Sequence, residues 1–278
     1  MSATVRLFDG DAPVDAWPWD ARATAYGDGL FETMRVHAGA IPWWDAHWSR
    51  LASGAARLQM RLPDEERVRR EVDALCQEAD AGVLKLVVSR GATTRGYSPS
   101  ASAAPAWMLV RYPVPPCRDS VRACWCETRL AVQPALAGIK HCNRLEQVLA
   151  RGECDAAGVD EGLLCDTSGD VVGAVSANVF VLHGGRWTTP PVDRCGVAGV
   201  CRTKLLVALD AREDRLSVAD VEGAEAVFLC NAVRGILPLA GLGARRWPLH
   251  PATAAARKML AAMHPGFAAD RPPATEPS

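Results

Sequence analysis

The sequence predicts an α/β protein made of two domains. Its 278 residues are enough for one large domain or two of ordinary size. Apolar residues with helical spacing and with strand-like spacing alternate along the chain, so helices and strands are mixed throughout. Pro113, Pro115 and Pro116 interrupt the chain near its middle and remove amide donors there. We therefore expect an N-terminal domain over residues 1–115, a proline-containing linker over 116–120 and a C-terminal domain over 121–267.

The expected elements of the first domain begin with short strands and turns over residues 1–36. Apolar residues at helical spacing then predict an amphipathic helix over residues 45–60: Trp44, Trp48, Leu51, Ala55 and Leu58. Pro63 and Asp64 open a second helix that carries Val68, Val72 and Leu75 on one face. The apolar runs at residues 83–88 and 106–114 predict two strands.

The second domain is expected to begin with a strand over residues 121–132 and a helix over 143–156, with Leu145, Val148 and Leu149 on one face. Residues 161–166 and 171–182, joined by the turn 167–170, predict a hairpin-like unit. The segment 196–200 leads into another helix, and an apolar strand over 225–230 ends at Asn231. Residues 268–278 are rich in proline, alanine and charge, which predicts a disordered tail.

The composition excludes several classes of function. With 31 basic and 32 acidic residues, the formal net charge is −1, whereas nucleic acids and anionic membranes favour a basic partner. No apolar run is long enough to span a bilayer, and the first residues lack a secretory signal pattern. The ten cysteines include no CxxC pair, so we expect reduced, mostly buried thiols and no metal site. These features predict a cytoplasmic protein.

Lysine is rare in this chain, which has only Lys85, Lys140, Lys204 and Lys258 among its 31 basic residues. Arginine cannot replace lysine where an amine must lose its proton and form an imine. Lys140 lies between a predicted strand and a predicted helix, where a loop can present it to a cleft and burial can lower its pKa. Local context alone also fits a solvated surface lysine.

Three other segments could bind anions. The glycine-containing turn 196–202 enters a helix, whose first amides suit a phosphate. Arg50 lies at the edge of the apolar face of its helix and could turn inward to a buried anion. Arg95 and Tyr97 share a loop and could both contact a carboxylate. Each segment taken singly also fits an ordinary helix start, a solvated arginine or a surface loop.

The order of these segments is more informative than any one of them. The chain carries, in sequence, YGDGLFETMR (26–35), SRGATTRGYS (89–98), GIKHCNRLEQVLAR (138–151), SANVF (176–180), GVAGVCR (196–202) and FLCNAVRGILPL (228–239). Over roughly residues 20–262 it resembles the fold-type IV family of pyridoxal 5'-phosphate enzymes. The resemblance implies two domains with the active site between them, a small-molecule substrate, pyridoxal phosphate as cofactor, and a homodimer.

The resemblance also implies roles for individual residues. Lys140 matches the catalytic lysine that forms an imine with the cofactor, and Arg50 matches the arginine that grips the cofactor phosphate. The remaining matches are the helix-start amides of Val200 and Cys201, the phosphate-covering loop of Asn231 and Ala232, and the substrate-carboxylate loop of Arg95 and Tyr97, which can reach across a dimer interface. Thr33 and Ser176 are further candidates for residues that line the substrate site.

Within the family, KHCNRLEQVLAR and SRGATTRGYS most resemble the aminodeoxychorismate lyase branch, which releases 4-aminobenzoate and pyruvate in folate synthesis. One position departs from the family motif: Gly173 stands where a glutamate bonds to the pyridine nitrogen. Without that carboxylate the cofactor is a weaker electron sink, which disfavours transamination more than a lyase reaction that forms an aromatic ring. The alternatives are a D-amino-acid or branched-chain aminotransferase of the same fold, or a non-catalytic relative.

Overall fold

The first half of the chain folds around a five-stranded antiparallel sheet. The computed structural model describes residues 4–18, 20–77, 79–91, 96–100 and 103–268. The strands are β1 (Thr4–Asp9), β2 (Ala12–Val14), β3 (Gly29–His37), β4 (Ala81–Ser89) and β5 (Ala106–Tyr112), in the spatial order β2-β1-β5-β4-β3. The helices are α1 (Arg22–Tyr26), α2 (Trp44–Arg57) and α3 (Glu65–Cys76). The predicted helices over 45–60 and after Asp64, and the strands near 83–88 and 106–114, are thereby confirmed.

The two faces of β3 have different surroundings because side chains alternate along a strand. Leu30 and Met34 point into a core formed with α2 and α3. Phe31, Thr33 and Arg35 share the opposite face, which we call the Phe31 face of β3. Helix α3 begins at a side-chain cap, since Asp64 accepts a hydrogen bond from the Arg67 amide.

The second half forms a mixed nine-stranded sheet in the order β11-β10-β9-β12-β13-β6-β7-β8, with β14 paired to β13. Its strands are β6 (Val121–Trp125), β7 (Glu161–Cys165), β8 (Val171–Ala174), β9 (Asn178–His183), β10 (Arg186–Thr189), β11 (Arg212–Glu213), β12 (Ala226–Asn231), β13 (Gly235–Leu242) and β14 (Arg245–Arg246). Its helices are α4 (Leu145–Ala156), α5 (Val200–Ala208), α6 (Val218–Glu222) and α7 (Pro251–Met263), followed by a 3-10 turn (Pro265–Phe267). The mixture of helices and strands confirms the predicted fold class.

Two elements of this half are decided by contacts that the local sequence does not show. The strand predicted over 121–132 ends at Trp125, because the amides of Glu127 and Thr128 bond to the Glu153 carboxylate instead of to a neighbouring strand. Helix α4 forms near its predicted bounds, but its large apolar face is exposed: Leu145 is 78%, Val148 64% and Leu149 64% accessible. The side of α4 that packs against the sheet carries the small residues Ala150 and Cys154.

The two sheets are separated in sequence by residues 113–120 but are joined by contacts. Trp43 Nε1 donates to the Met263 carbonyl over 3.1 Å, and Arg35 Nη1 donates to the Val233 carbonyl over 2.9 Å. The division into two domains stays a prediction, and residues 269–278 of the expected tail lie outside the described residues. No described helix has the length and apolarity that crossing a bilayer requires.

Candidate active site

Lys140 lies in a short extended segment that joins the two halves of the molecule. On one side the Phe31 amide of β3 donates to the Lys140 carbonyl over 3.0 Å. On the other side the Ala198 amide, just before α5, donates to the Gly138 carbonyl over 3.0 Å. Because these bonds fix the main chain on both sides, the Lys140 side chain is held between β3 and the start of α5.

The amine of Lys140 faces an aromatic ring and other cations. Its Nζ lies 4.2 Å from the centre of the Phe31 ring, and Nζ of Lys85 lies 5.3 Å from the centre of the same ring. Burial lowers the pKa of Lys140 to about 7, and the positive charge of Arg50 acts in the same direction. An amine with this pKa both accepts and releases protons near neutral pH.

Arg50 is held by a buried carboxylate that was not among the predicted site residues. Glu32 Oε1 accepts from Arg50 Nε over 2.8 Å, and Oε2 accepts from Arg50 Nη2 and lies 2.6 Å from His47 Nδ1. The side chains of Glu32 and His47 are each 2% exposed. Burial alone would raise the pKa of Glu32, but the charge of Arg50 and the bonds from His47 and Arg50 outweigh it and lower that pKa to about 2.

The outer edge of Arg50 lies beside the start of α5. Arg50 Nη1 donates to the Ala198 carbonyl over 3.1 Å, two residues before the first residue of the helix. A guanidinium has five N–H groups, and three of those on Arg50 contact Glu32 or Ala198. The other two, one on each terminal nitrogen, have no partner among the described residues and are available to an oxyanion; we call them the fork of Arg50.

The first amides of α5 supply a second set of donors. The helix has no side-chain cap, because its N-cap residue is Gly199, and the first amides of a helix have no partner within it. A Cβ at Gly199 would lie 2.1 Å from Oδ1 of Asn178, whose Nδ2 donates to the Val197 carbonyl. We call the fork of Arg50 together with the amides of Val200 and Cys201 the Arg50–α5 pocket.

A turn after β12 forms another wall. Asn231 Oδ1 accepts from the amides of Val233 and Arg234 over 3.0 and 2.8 Å, and its Nδ2 donates to the Ser176 carbonyl over 3.2 Å. Ala232 lies within this turn. Because Arg35 of the Phe31 face bonds to Val233, the turn lies over the same face of β3 as Lys140, and Thr33 stands between Phe31 and Arg35.

The predicted site residues are thus only partly brought together. Lys140, Arg50 and the amides of Val200 and Cys201 are neighbours, whereas Tyr97 is 84% exposed and its ring packs on Tyr26. Arg95 lies outside the described residues. These assignments remain predictions about function.

No side chain stands where the family glutamate is expected, since residue 173 is glycine and lies in β8. A Cβ there would lie 3.1 Å from the Ala177 carbonyl oxygen. The two nearby carboxylates are already engaged. Glu161 accepts from Ser176, from Arg151 over 3.0 Å and from Arg234 over 2.8 Å; Asp166 accepts from the Ser168 amide and pairs with Arg194.

Sequence reasoning missed Glu32, His47 and Lys85 as parts of this site. A signal for Glu32 was present, because it alternates with Leu30 and Met34 and therefore shares their buried face. A carboxylate on a buried face requires a partner. His47 and Arg50, three apart on one helix, supply it.

Comparison with known proteins gives the family. The model of the family described as amino-transferase class IV matches residues 29–242. The chain belongs to the class IV aminotransferase family. It is similar to the aminodeoxychorismate lyase of Vibrio harveyi, with 34% identity over 82% of this chain and 88% of that protein.

Solved structures of the family agree with this assignment. The chain is similar to the crystal structure of 4-amino-4-deoxychorismate lyase from Pseudomonas aeruginosa, with 40% identity and a TM-score of 0.85 over 94% of this chain and 98% of that one. A structure described as the PLP-bound form of a hypothetical aminotransferase from Mycobacterium tuberculosis shares the fold, with 24% identity and a TM-score of 0.80 over 94% and 99% of the two chains. Class IV enzymes are dependent on pyridoxal phosphate.

The residues present fit that cofactor in two respects. The Arg50–α5 pocket offers amides and a guanidinium fork to a phosphate dianion, with no capping side chain in the way. Lys140 offers an amine with a pKa of about 7, which is available as a nucleophile. The absent carboxylate at Gly173 is the one departure, and it concerns the electronics of the ring rather than its binding.

Proposed function

We propose that this protein is a pyridoxal-phosphate-dependent lyase that converts 4-amino-4-deoxychorismate to 4-aminobenzoate and pyruvate, a step of folate synthesis. The observation that carries the proposal is its similarity, at 34% and 40% identity over most of the chain, to two proteins named for this activity. The arrangement of Lys140 beside the Arg50–α5 pocket supports it, because a protein without a phosphate-bearing cofactor has no need of both together.

The proposed cofactor would be held by four parts of the chain: the Lys140 segment, helix α2 through Arg50, the start of α5 and the turn after β12. Lys140 would bond covalently to its carbonyl carbon, the Arg50–α5 pocket would take its phosphate, and the turn at Asn231 and Ala232 would cover the phosphate. When bound, pyridoxal phosphate supplies a conjugated ring that accepts electrons from the bond being broken in the substrate.

Lys140 moves the proton in the proposed reaction. The amine of Lys140 removes the proton from the ring carbon that bears the substrate nitrogen. The carbon–oxygen bond to the enolpyruvyl group then breaks, and the substrate ring becomes aromatic. Lys140 returns the proton to the methylene carbon of the leaving group, so that pyruvate forms and no net proton is consumed.

Side chains that bind carboxylates would orient the substrate. Each product carries one carboxylate, so the substrate carries two. We assign one to Arg95 and Tyr97, and the other to Lys85, whose amine shares the Phe31 ring with Lys140 and has no ion pair within the described chain. Thr33, directly opposite Lys85 in the β3–β4 ladder, and Ser176 would line the same cavity.

Gly173 favours the lyase over an aminotransferase of the same fold. Transamination depends on an electron-poor cofactor ring to stabilise a carbanion. Residue 173 is glycine, so it supplies no carboxylate that could keep the nitrogen of that ring protonated. In the lyase reaction, aromatisation of the substrate contributes a driving force that transamination lacks.

We further propose that the enzyme is a cytoplasmic homodimer. Leu145, Val148 and Leu149 form an exposed apolar stripe on α4, immediately after the Lys140 segment, and such stripes mark protein interfaces. The exposed Tyr97 would then serve the partner's site. A molar mass of one chain, measured by light scattering at micromolar concentration, would contradict this part of the proposal.

The decisive experiment compares wild type with Lys140→Ala and with Lys258→Ala, an exposed lysine of α7 as the matched control. With pyridoxal phosphate, wild type and Lys258→Ala should show the visible absorption band of lysine-bound cofactor and release 4-aminobenzoate. Lys140→Ala should show neither. A band without 4-aminobenzoate, but with transfer of an amino group to a 2-oxo acid, would favour the aminotransferase; absence of any band in wild type would favour the non-catalytic relative.

A further inference from the structure

The least explained feature of the site is a buried negative charge next to the Arg50–α5 pocket. Glu32 is fully buried and lies in direct contact with Arg50, the residue that should attract the phosphate dianion. By Coulomb's law alone, a carboxylate at this position weakens the binding of an anion. Its presence therefore requires a benefit that outweighs this repulsion.

Geometry supplies that benefit. Glu32 contacts Nε and Nη2 of Arg50, which is the inner edge of the guanidinium, while the Ala198 carbonyl takes one N–H of Nη1. A planar group fixed at three N–H groups has no remaining freedom to rotate. The two N–H groups left over form the outer fork, and that fork lies beside the start of α5.

His47 fixes the carboxylate in turn. Its Nδ1 lies 2.6 Å from Glu32 Oε2, and it stands one helical turn before Arg50 on α2. Strand β3 and helix α2 are thereby tied together at the oxygen that also binds Arg50. The chain His47–Glu32–Arg50 is buried throughout, with Arg50 the most accessible member at 13%.

We propose that Glu32 is a positioning residue for the cofactor phosphate, acting through Arg50. It sets the guanidinium fork toward the α5 amides before the phosphate arrives, so that binding does not have to order a long flexible side chain. This inference rests on the proposed function, because it requires a phosphate-bearing cofactor.

The two effects of Glu32 have opposite signs, which makes the inference testable by binding alone. Apoprotein is titrated with pyridoxal phosphate and with pyridoxal, which lacks the phosphate. The visible absorption band of the lysine-bound compound is followed. We expect Glu32→Gln to weaken binding of pyridoxal phosphate by at least about tenfold, as loss of an orienting partner does in metal sites, and to leave the binding of pyridoxal unchanged. Tighter binding of pyridoxal phosphate, or equal weakening of both compounds, would overturn the inference.

A double-mutant cycle tests the route through Arg50. In an Arg50→Met background, Glu32→Gln should leave the affinity for pyridoxal phosphate unchanged, because the guanidinium that it orients is gone. A further loss of tenfold in that background would show that Glu32 acts on the phosphate by another route, and would overturn the inference.

Two more variants guard against trivial outcomes. If Glu32→Gln does not fold, His47→Gln removes one bond to the same carboxylate. It should weaken binding of pyridoxal phosphate by about two- to threefold and leave the binding of pyridoxal unchanged. Asp28→Asn, which alters a second arginine-bound carboxylate at the start of β3, should not change the ratio of the two affinities. Failure of wild type to bind either compound would instead refute the proposed function itself.

Discussion

Two carboxylates four residues apart, at the start of β3 and within it, are held by arginines in similar ways. Asp28 Oδ2 accepts from Arg22 Nε over 2.7 Å and from Arg90 Nε over 2.8 Å. Glu32 accepts from Arg50 and from His47. Burial would raise the pKa of both carboxyls, but hydrogen bonds and charges from the partner cations outweigh it and lower both values.

The difference lies in what the arginines contact at their far ends. Arg22 donates to the carbonyls of Gly96 and Tyr97, and Arg90 donates to those of Leu58 and Gln59. These bonds tie loops of the first sheet together. Arg50 instead ends on one carbonyl beside an uncapped helix start. Under the proposal above, the same ion-pair chemistry fastens the fold at Asp28 and positions Arg50 for the cofactor phosphate at Glu32.

The largest expected effect comes from removing the arginines. Arg50→Met leaves Glu32 buried with His47 alone, which should lower the free energy of unfolding by about 3–5 kcal/mol and weaken binding of pyridoxal phosphate by more than the roughly tenfold expected of Glu32→Gln. Arg90→Met should cost less, about 1–3 kcal/mol, because Asp28 is 17% exposed and keeps Arg22. Urea unfolding and cofactor titration measure both quantities. The distinction between Asp28 and Glu32 would be contradicted if Arg90→Met weakened binding of pyridoxal phosphate as much as Arg50→Met does.

The next effect is the pH dependence of stability at Glu32. Its pKa of about 2 in the folded state lies below the ordinary value of 4.5, so its contribution is present above pH ~4.5 and is lost as the pH falls through ~2. The pH-dependent part of the difference between wild type and Glu32→Gln should be about 3 kcal/mol near pH 6 and about 1 kcal/mol at pH 3. Urea unfolding at the two pH values tests this; a difference that does not change with pH would contradict it.

The smallest effect has the opposite sign and concerns Lys140. Because its pKa in the folded protein is about 7 instead of 10.5, the unfolded chain holds more protons between these values and stability rises with pH there. Lys140→Met should therefore stabilise the apoprotein, by about 2 kcal/mol at pH 6 after allowance for its partial exposure, and by less at pH 9. Thermal unfolding without cofactor measures this. If Lys140→Met lowered the stability of the apoprotein at pH 6, the protonated Lys140 amine would not be unfavourable in the folded state.

Much of the first sheet and part of the site followed from local patterns. Helices α2 and α3 were predicted because their apolar residues repeat with the helical period, and strand β4 because its residues form a short, mostly apolar run. Lys140, Arg50 and the α5 start were found from their residue types and their order along the chain. Glu32 was missed because its partners His47 and Arg50 lie on another element.

Helix α4 shows the limit of periodicity more clearly. Leu145, Val148 and Leu149 recur as core residues do, yet they are exposed, while Ala150 and Cys154 pack against the sheet. Apolar spacing identifies a face of a helix but not what covers that face. A second chain would satisfy the pattern as well as the protein's own core does.

The sequence by itself determined the fold class, the elements with strong periodicity, the family resemblance and the scarcity of lysine that singles out Lys140. Only the tertiary structure decided that Glu32 and His47 stand behind Arg50, that Lys85 shares the Phe31 ring with Lys140, and that the large apolar residues of α4 face outward. The physical reason is that periodicity and residue type are local properties. Ion pairing, desolvation and burial depend on which distant segments meet, and that is set by the packing of the whole chain.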